Sequence, residues 1–399
     1  MRLAAQIAIR ERSVAMDPVR TAIDWVLTLC LCVSLCGCAA LLETEGYEKT
    51  LYAEPTAPVP TVDSGSVSSY AQLLAAIGGM VQDHTEETTL LFRNYEGDIP
   101  ADLAAACREM QYEDALGAYA LDYISYDVHR IVSYYEVELF LRFRRTKAQT
   151  DGIVSLSGTT AVRERLTQAM AAGENYLVLH SPATTLTATA LQAMALECYR
   201  QNPGEILLLP EMEIRVYPER GIERVFELSL DYGCTTEELT ARHTRLADAV
   251  DMRLEQVLAS GGELSRLAFD LARETRLVPA GTEDSSTAYS ALVNGAADSQ
   301  GLAMAFAALC SAGGLEAQVV EGSYGGEVCW WNLVHLGEQH WAHCDIAALS
   351  AGSPGAFLAS DSAMAAQYIW DNTRYPAANG PGEIGVPLLN PSKKTEISS

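Results

Sequence analysis

Residues 66–145 and 154–232 read as one unit written twice, displaced by about 86 to 89 residues. Each copy opens with a helical stretch, Tyr70–Val81 in the first and Thr160–Ala172 in the second. A short apolar strand follows, Leu90–Tyr95 or Tyr176–His180, and then a second helix, Ala101–Leu116 or Leu186–Gln201. A long strand pair closes each copy, Tyr119–Tyr126 with Tyr135–Arg144 and Glu205–Tyr217 with Arg224–Tyr232. Val137–Phe143 and Phe226–Leu230 alternate with period two, the spacing that turns one face of a strand towards a core. The pattern predicts an α+β fold beginning with two tandem α/β-sandwich-like repeat modules, 66–150 and 151–234. No cluster of His, Cys and carboxylates recurs in both copies. The repeat is therefore expected to act as a spacer or partner-binding element, since function is argued from a site.

The chain has 399 residues, enough for two or three domains at roughly 150 residues each. Basic residues number 27 and acidic ones 52, a net charge of −25. Charge of that sign argues against nucleic acid or an anionic membrane surface as a partner. Ten cysteines are too few for a disulfide-built fold, and neither a CxxC pair nor HExxH occurs, so no metal and no cofactor is expected.

Four of those cysteines, Cys30, Cys32, Cys36 and Cys38, sit in the apolar run Trp25–Leu42. The run is just long enough to span a bilayer as an uncleaved anchor. It also reads as a secretory segment ending Leu35-Cys36-Gly37-Cys38-Ala39, which resembles the bacterial lipobox. That resemblance implies removal of residues before Cys38 and lipidation of Cys38. Both readings place the rest of the chain outside the cytoplasm, tethered to the cell membrane. Translation from Met16 instead of Met1 would bring Arg20 close to the start of the run. Residues 39–65 hold Pro55, Pro58 and Pro60 without an apolar period and read as a linker. Residues 386–399 read as a flexible tail.

The third region, 235–385, opens with a capping box, Thr235-Thr236-Glu237-Glu238, before the apolar stripe Leu239, Leu246, Val250, Leu254 and Val257. Gly261-Gly262 ends that helix, and a second follows over Glu263–Thr275. Further on stand three linked stretches. Asp298-Ser299-Gln300-Gly301-Leu302-Ala303 opens a helix that closes at Gly313-Gly314. A strand carries Cys329-Trp330-Trp331-Asn332. After a turn comes Trp341-Ala342-His343-Cys344-Asp345.

Over about a third of the chain this text resembles the transglutaminase-like superfamily, the papain-like fold of bacterial extracellular proteins. In that family a cysteine opens the helix within C-Q-G-x-A, a histidine follows in H-x-W-N, and an aspartate in W-x-H-x-D. Phe357-Leu358-Ala359-Ser360-Asp361 and Trp370-Asp371 through Tyr375-Pro376 are similar to the end of such domains. Here the nucleophile position holds Ser299, the histidine position Cys329, and only Asp345 is kept.

A serine hydroxyl needs a positioned general base, because a helix dipole worth about 0.3–1 kcal/mol cannot ionise it. A thiol at the base position does not supply one. The expected outcome is an inactive homologue that binds a peptide, protein or cell-wall ligand in the former groove. Gln300, Trp330, Trp331, Asn332 and Trp341 would line that groove; the three tryptophans together make an aromatic-rich wall, read either as core packing or as a stacking surface for the ligand. The alternative is an active peptide hydrolase or acyltransferase using Ser299, or Cys329, with Asp345 and His343 as a rescue base. His343 lies two residues before Asp345 and is expected beside it on one strand face, packed or hydrogen-bonded.

Strand parity makes a further expectation. A three-residue turn, Gly337-Glu338-Gln339, would set Trp331 opposite Asp345 and turn Cys344 to the other face, which excludes a Cys329–Cys344 disulfide. Cys107, Cys198, Cys234 and Cys310 are expected as buried free thiols.

Overall fold

A computed structural model of the chain describes residues 66–182, 186–282, 284–381 and 387–391. Cys38, the apolar run around it and the linker 39–65 lie outside the described residues, as does most of the tail. The described part is a mixed α+β structure with several sheets.

The first segment runs β1 (Ser66–Val67), α1 (Tyr70–Asp83), β2 (Glu87–Phe92), α2 (Ile99–Tyr112), α3 (Ala115–Ala120), β3 (Leu121–Ile131) and β4 (Tyr134–Phe143). A short helix, α4 (Lys147–Asp151), leads to β5 (Val154–Ser155), α5 (Gly158–Ala172), β6 (Tyr176–Ser181), α6 (Ala188–Gln201), β7 (Glu211–Tyr217) and β8 (Arg224–Asp231). The two sheets have matching strand orders, β1-β2-β4-β3 and β5-β6-β8-β7. In each, the first strand runs parallel to its neighbour and the other pairs are antiparallel. Val67 pairs with Phe92, and 87 residues further along Val154 pairs with Leu179.

Two element boundaries correct the sequence expectation. The helix expected over Ala101–Leu116 breaks before Ala115, because Asp114 accepts the Gly117 N–H at 2.7 Å and caps a new helix. Tyr119 thereby falls in α3 and not in a strand. The strand expected from Glu205 begins only at Glu211. Asn202 and Glu205 close a turn, and Pro210 has no N–H to give a ladder.

The third segment comprises α7 (Thr236–Ala259), α8 (Leu264–Glu274), β9 (Arg276–Leu277), a π-helical turn at Ser290–Asn294, β10 (Ala296–Ala297) and α9 (Ser299–Ala312). Then come β11 (Ala317–Tyr324), β12 (Glu327–Gly337), β13 (His340–Cys344), α10 (Ile346–Ser350), β14 (Phe357–Ala359), α11 (Asp361–Met364) and β15 (Tyr368–Trp370). Strands β14-β13-β12-β11-β15 form an antiparallel sheet in that order. Only half of the expected capping box forms at α7. Thr235 accepts the Glu238 N–H at 3.2 Å, while the Glu238 carboxylate turns to Arg242 at 2.6 Å.

Packing centres on α9, in which every residue from Gly301 to Cys310 is buried. A helix apolar all round must be covered all round. One connected core does so, joining α5, α6 and the inner face of the second sheet to α7, α8 and one face of the third sheet. The outer face of the second sheet meets the first segment, whose core takes in Val178 and Val225. Glu227, 6% exposed, is matched there by Arg145 at 2.7 Å, Tyr176 Oη at 2.8 Å and Tyr217 Oη at 3.1 Å. A carboxylate withdrawn from water needs such partners.

Candidate functional site

Ser299 is the first residue of α9, and the helix start around it is tightly built. Asp298 caps it, one oxygen accepting the Gly301 N–H at 2.9 Å, the other accepting Ser285 and Ser286 hydroxyls at 2.9 and 2.5 Å. The loop carrying those serines lies so close that a Cβ on Gly301 would stand 2.2 Å from the Ser285 carbonyl oxygen. Only glycine admits that approach. Ser299 and Gln300 are half-buried beside this turn. Among the described residues the Ser299 hydroxyl has no hydrogen-bond partner, and no hydrogen bond joins it to Cys329 or Asp345.

Strand alternation divides the residues of β12 between two faces. Trp330, Asn332 and Val334 turn towards the core that holds α9, and Asn332 Nδ2 donates to the Ala303 carbonyl at 2.9 Å. The Arg200 guanidinium covers the Trp330 ring at 4.5 Å and pairs with Glu321 at 3.0 Å. Cys329, Trp331 and Leu333 belong to a separate cluster on the opposite face, with Trp341, Tyr368 and Trp370. The expected aromatic wall is therefore corrected. Trp331 and Trp341 share a face, and Trp330 is on the other.

Register follows the parity argument. Asn332 pairs with Cys344, Leu333 with His343 and His335 with Trp341. Asp345 lies one residue beyond Cys344, the last paired residue of β13. The turn itself differs. A bulge between His335 and Gly337 absorbs the extra residue, and Gly337 pairs with His340 around Glu338-Gln339. Cys329 and Cys344 are both free thiols, as are Cys107, Cys198 and Cys310, all buried except Cys329, and the half-buried Cys234.

Asp345 begins α10 as its cap. One oxygen accepts the Ala348 N–H and the other the Tyr368 hydroxyl, each at 2.9 Å. Burial raises its pKa above the usual carboxylate range, and those two hydrogen bonds work against the rise. Burial first, and the Asp345 charge second, push the Cys329 thiol up to about 12. At neutral pH Cys329 is a protonated thiol, which is neither a base nor a nucleophile.

His343 corrects a second expectation. Its partner is Asp361, which takes Nε2 at 2.9 Å, not Asp345. Nδ1 accepts the Trp331 indole N–H at 2.9 Å. The side chain is fully buried with both ring nitrogens engaged, so the role of rescue base falls away. Burial lowers its pKa, against the opposing pull of Asp361. Asp361 and Tyr368 are the residues the sequence reading missed as partners. Asp361 belongs to the stretch Phe357–Asp361, and nothing in its spacing links it to His343.

Among the described residues no group of three or more His, Cys, Asp or Glu is placed to hold a metal. No helix among them is long and apolar enough to cross a membrane.

No family model matches the sequence, and no curated protein matches it. Among solved structures, the crystal structure of a TGase aligns over 55% of this chain at 12% identity, with a TM-score of 0.25. The alignment spans 63% of that chain, less than two thirds of its length. A likeness of that size carries no argument about chemistry.

Proposed function

We propose that this chain is a membrane-tethered, extracytoplasmic protein in which two tandem α/β modules carry a transglutaminase-like domain that has lost its chemistry. Its third domain binds a protein, peptide or cell-wall ligand in the groove that an active relative would use for catalysis. The reading rests first on the motif text around Ser299, Cys329 and Asp345. The observation that carries it is the state of Cys329. At the position where the resemblance puts an imidazole base, burial and the adjacent Asp345 keep a thiol protonated to about 12. The competing reading, an acyltransferase using Ser299, requires a base for a hydroxyl that has none among the described residues, while His343 is committed to Trp331 and Asp361.

The test uses purified full chain with peptide substrates, followed for hydrolysis and for acyl transfer to an amine, and with cell-wall fragments and peptides in calorimetric titrations. Binding without turnover at the third domain is expected. Turnover that disappears in Ser299→Ala would overturn the inactive assignment, and failure of every ligand class to bind would reduce the domain to a spacer.

A further inference from the structure

A second group of reactive side chains lies far from α9 in sequence and on different elements. Ser155, the last residue of β5, pairs across the ladder with His180 of the parallel strand β6. The Ser155 hydroxyl is 3.0 Å from His180 Nδ1, and His180 Nε2 is 2.8 Å from a Glu223 carboxylate oxygen. Hydroxyl, imidazole and carboxylate form one line. An ionised carboxylate only accepts, so the ring proton belongs on Nε2 and the Nδ1 lone pair faces the serine. The imidazole is thus oriented as a base towards an exposed hydroxyl.

The line borders a cleft of about 520 Å³ between α1 and the second sheet, where Ala75, Gly78, Gly79 and Leu116 are joined by the polar Gln82, Asp114 and Thr150. A Cβ built on Gly79 meets nothing within 4 Å, so that wall is open. Because β5 and β6 are parallel, Ser155 and His180 stand near the carboxyl ends of their strands. The helix α5 starts just beyond, and its cap residue Ser157 makes no side-chain hydrogen bond to it. Among the described residues no side chain accepts from the first N–H groups of α5.

We propose that Ser155, His180 and Glu223 are nucleophile, general base and orienting carboxylate of a second site, which hydrolyses esters with short acyl groups. The site is independent of the groove in the third domain. Ser155 Oγ bonds to the ester carbonyl carbon while its proton passes to His180 Nδ1. Glu223 balances the imidazolium. The carbon–oxygen bond to the alcohol then breaks, and the alcohol leaves with the proton from His180. Water attacks the acyl-serine in the same way, releasing the acid and restoring Ser155. Ala75, Gly78, Gly79 and Leu116 give the cleft small and apolar lining suited to an acyl chain of a few carbons.

The full chain is treated with a fluorophosphonate probe and, separately, with p-nitrophenyl acetate and butyrate. The expected result is a probe adduct on the peptide containing Ser155. Ester turnover should fall roughly 10²- to 10⁴-fold in Ser155→Ala and in His180→Gln, and about tenfold or more in Glu223→Gln, with unchanged circular dichroism. No adduct at Ser155 in the unaltered chain, or turnover that persists in Ser155→Ala, overturns the proposal. An adduct at Ser299 instead overturns both this proposal and the inactive assignment of the third domain.

Discussion

The indole N–H of Trp331 meets Nδ1 of His343 at 2.9 Å, and that bond decides which nitrogen carries the ring proton. A donor facing Nδ1 needs the lone pair there, so the proton sits on Nε2 and is given to Asp361 at 2.9 Å. Protonating the ring would set one N–H against another within the sheet.

Acid should therefore weaken the fold through His343. Its pKa in the folded chain is below the ordinary 6.5, so the unfolded chain takes the proton first as pH falls. The stability it contributes is complete above 6.5 and is lost as pH falls through the lowered folded value. Asp345 has the opposite sign. Its folded pKa lies above 3.8, so its contribution is complete below 3.8 and is lost as pH rises through the folded value. Comparing the chain with His343→Leu cancels the Asp345 contribution. The variant should be about 2–4 kcal/mol less stable at pH 7, since Trp331 and Asp361 lose their partner, and its stability should fall less steeply below 6.5. Urea unfolding across the pH range measures both. An equal slope in the two proteins would mean that burial does not lower the His343 pKa.

Gly301→Ala tests the helix start at Ser299. The added Cβ would lie 2.2 Å from the Ser285 carbonyl oxygen and 2.9 Å from Ala297 Cβ. Neither is the end of a flexible side chain, so the 285–287 loop must move and the Asp298 bonds to Ser285 and Ser286 must stretch. A loss of about 2–3 kcal/mol is expected, outweighing the gain in helix propensity of up to about 1 kcal/mol. Calorimetric unfolding would show it as a lower Tm; a stabilised variant would mean that the loop is not packed as described.

Why some of this was legible and some was not follows from the range of each interaction. The alternation in Val137–Phe143 is local and appears as β4, with Val137, Leu139 and Leu141 buried. The stripe Leu239, Leu246, Val250, Leu254 and Val257 is equally local and is the buried face of α7. The same strand parity that set the β12–β13 register also separates Trp330 from Trp331. Neighbours on one strand take opposite faces, so alternation alone argues against a single wall of three tryptophans. Asp114 is different, because an aspartate inside a helical pattern reads as a surface residue until the chain turns and exposes the Gly117 N–H to it. The His343–Asp361 bond could not be read at all. It joins β13 to the start of α11, and only the fold of the intervening chain brings the two together.

The buried contact between the first and second segments gives another measurable effect. Glu227→Leu leaves the Arg145 guanidinium without its anion and Tyr176 and Tyr217 without their acceptor. A loss of about 3–5 kcal/mol is expected, as for other buried pairs broken from one side. Arg145→Met together with Glu227→Leu should cost at least about 1 kcal/mol less than the sum of the single changes, since no uncompensated charge remains. A double-mutant cycle by urea unfolding reads the coupling directly, and additive losses would mean that Arg145 and Glu227 do not act as a pair.

The last prediction concerns whether positions 299 and 329 share a groove. In the unaltered chain Cys329, held protonated to about 12, should resist iodoacetamide at pH 8 while the same thiol reacts once the chain is unfolded. Ser299→Cys introduces a half-exposed thiol at the start of α9, and the helix N-terminus lowers its pKa by less than about one unit. Adding Cys329→His supplies an imidazole. If the two positions converge as the proposed scaffold requires, the imidazolium stabilises the thiolate, and the alkylation midpoint of the introduced thiol drops by a further unit or more. Stopped-flow alkylation against pH, with mass spectrometry to identify the modified peptide, follows it. An identical midpoint in the single and double variants would separate Ser299 from Cys329 and remove the basis for a vestigial acyl-transfer groove.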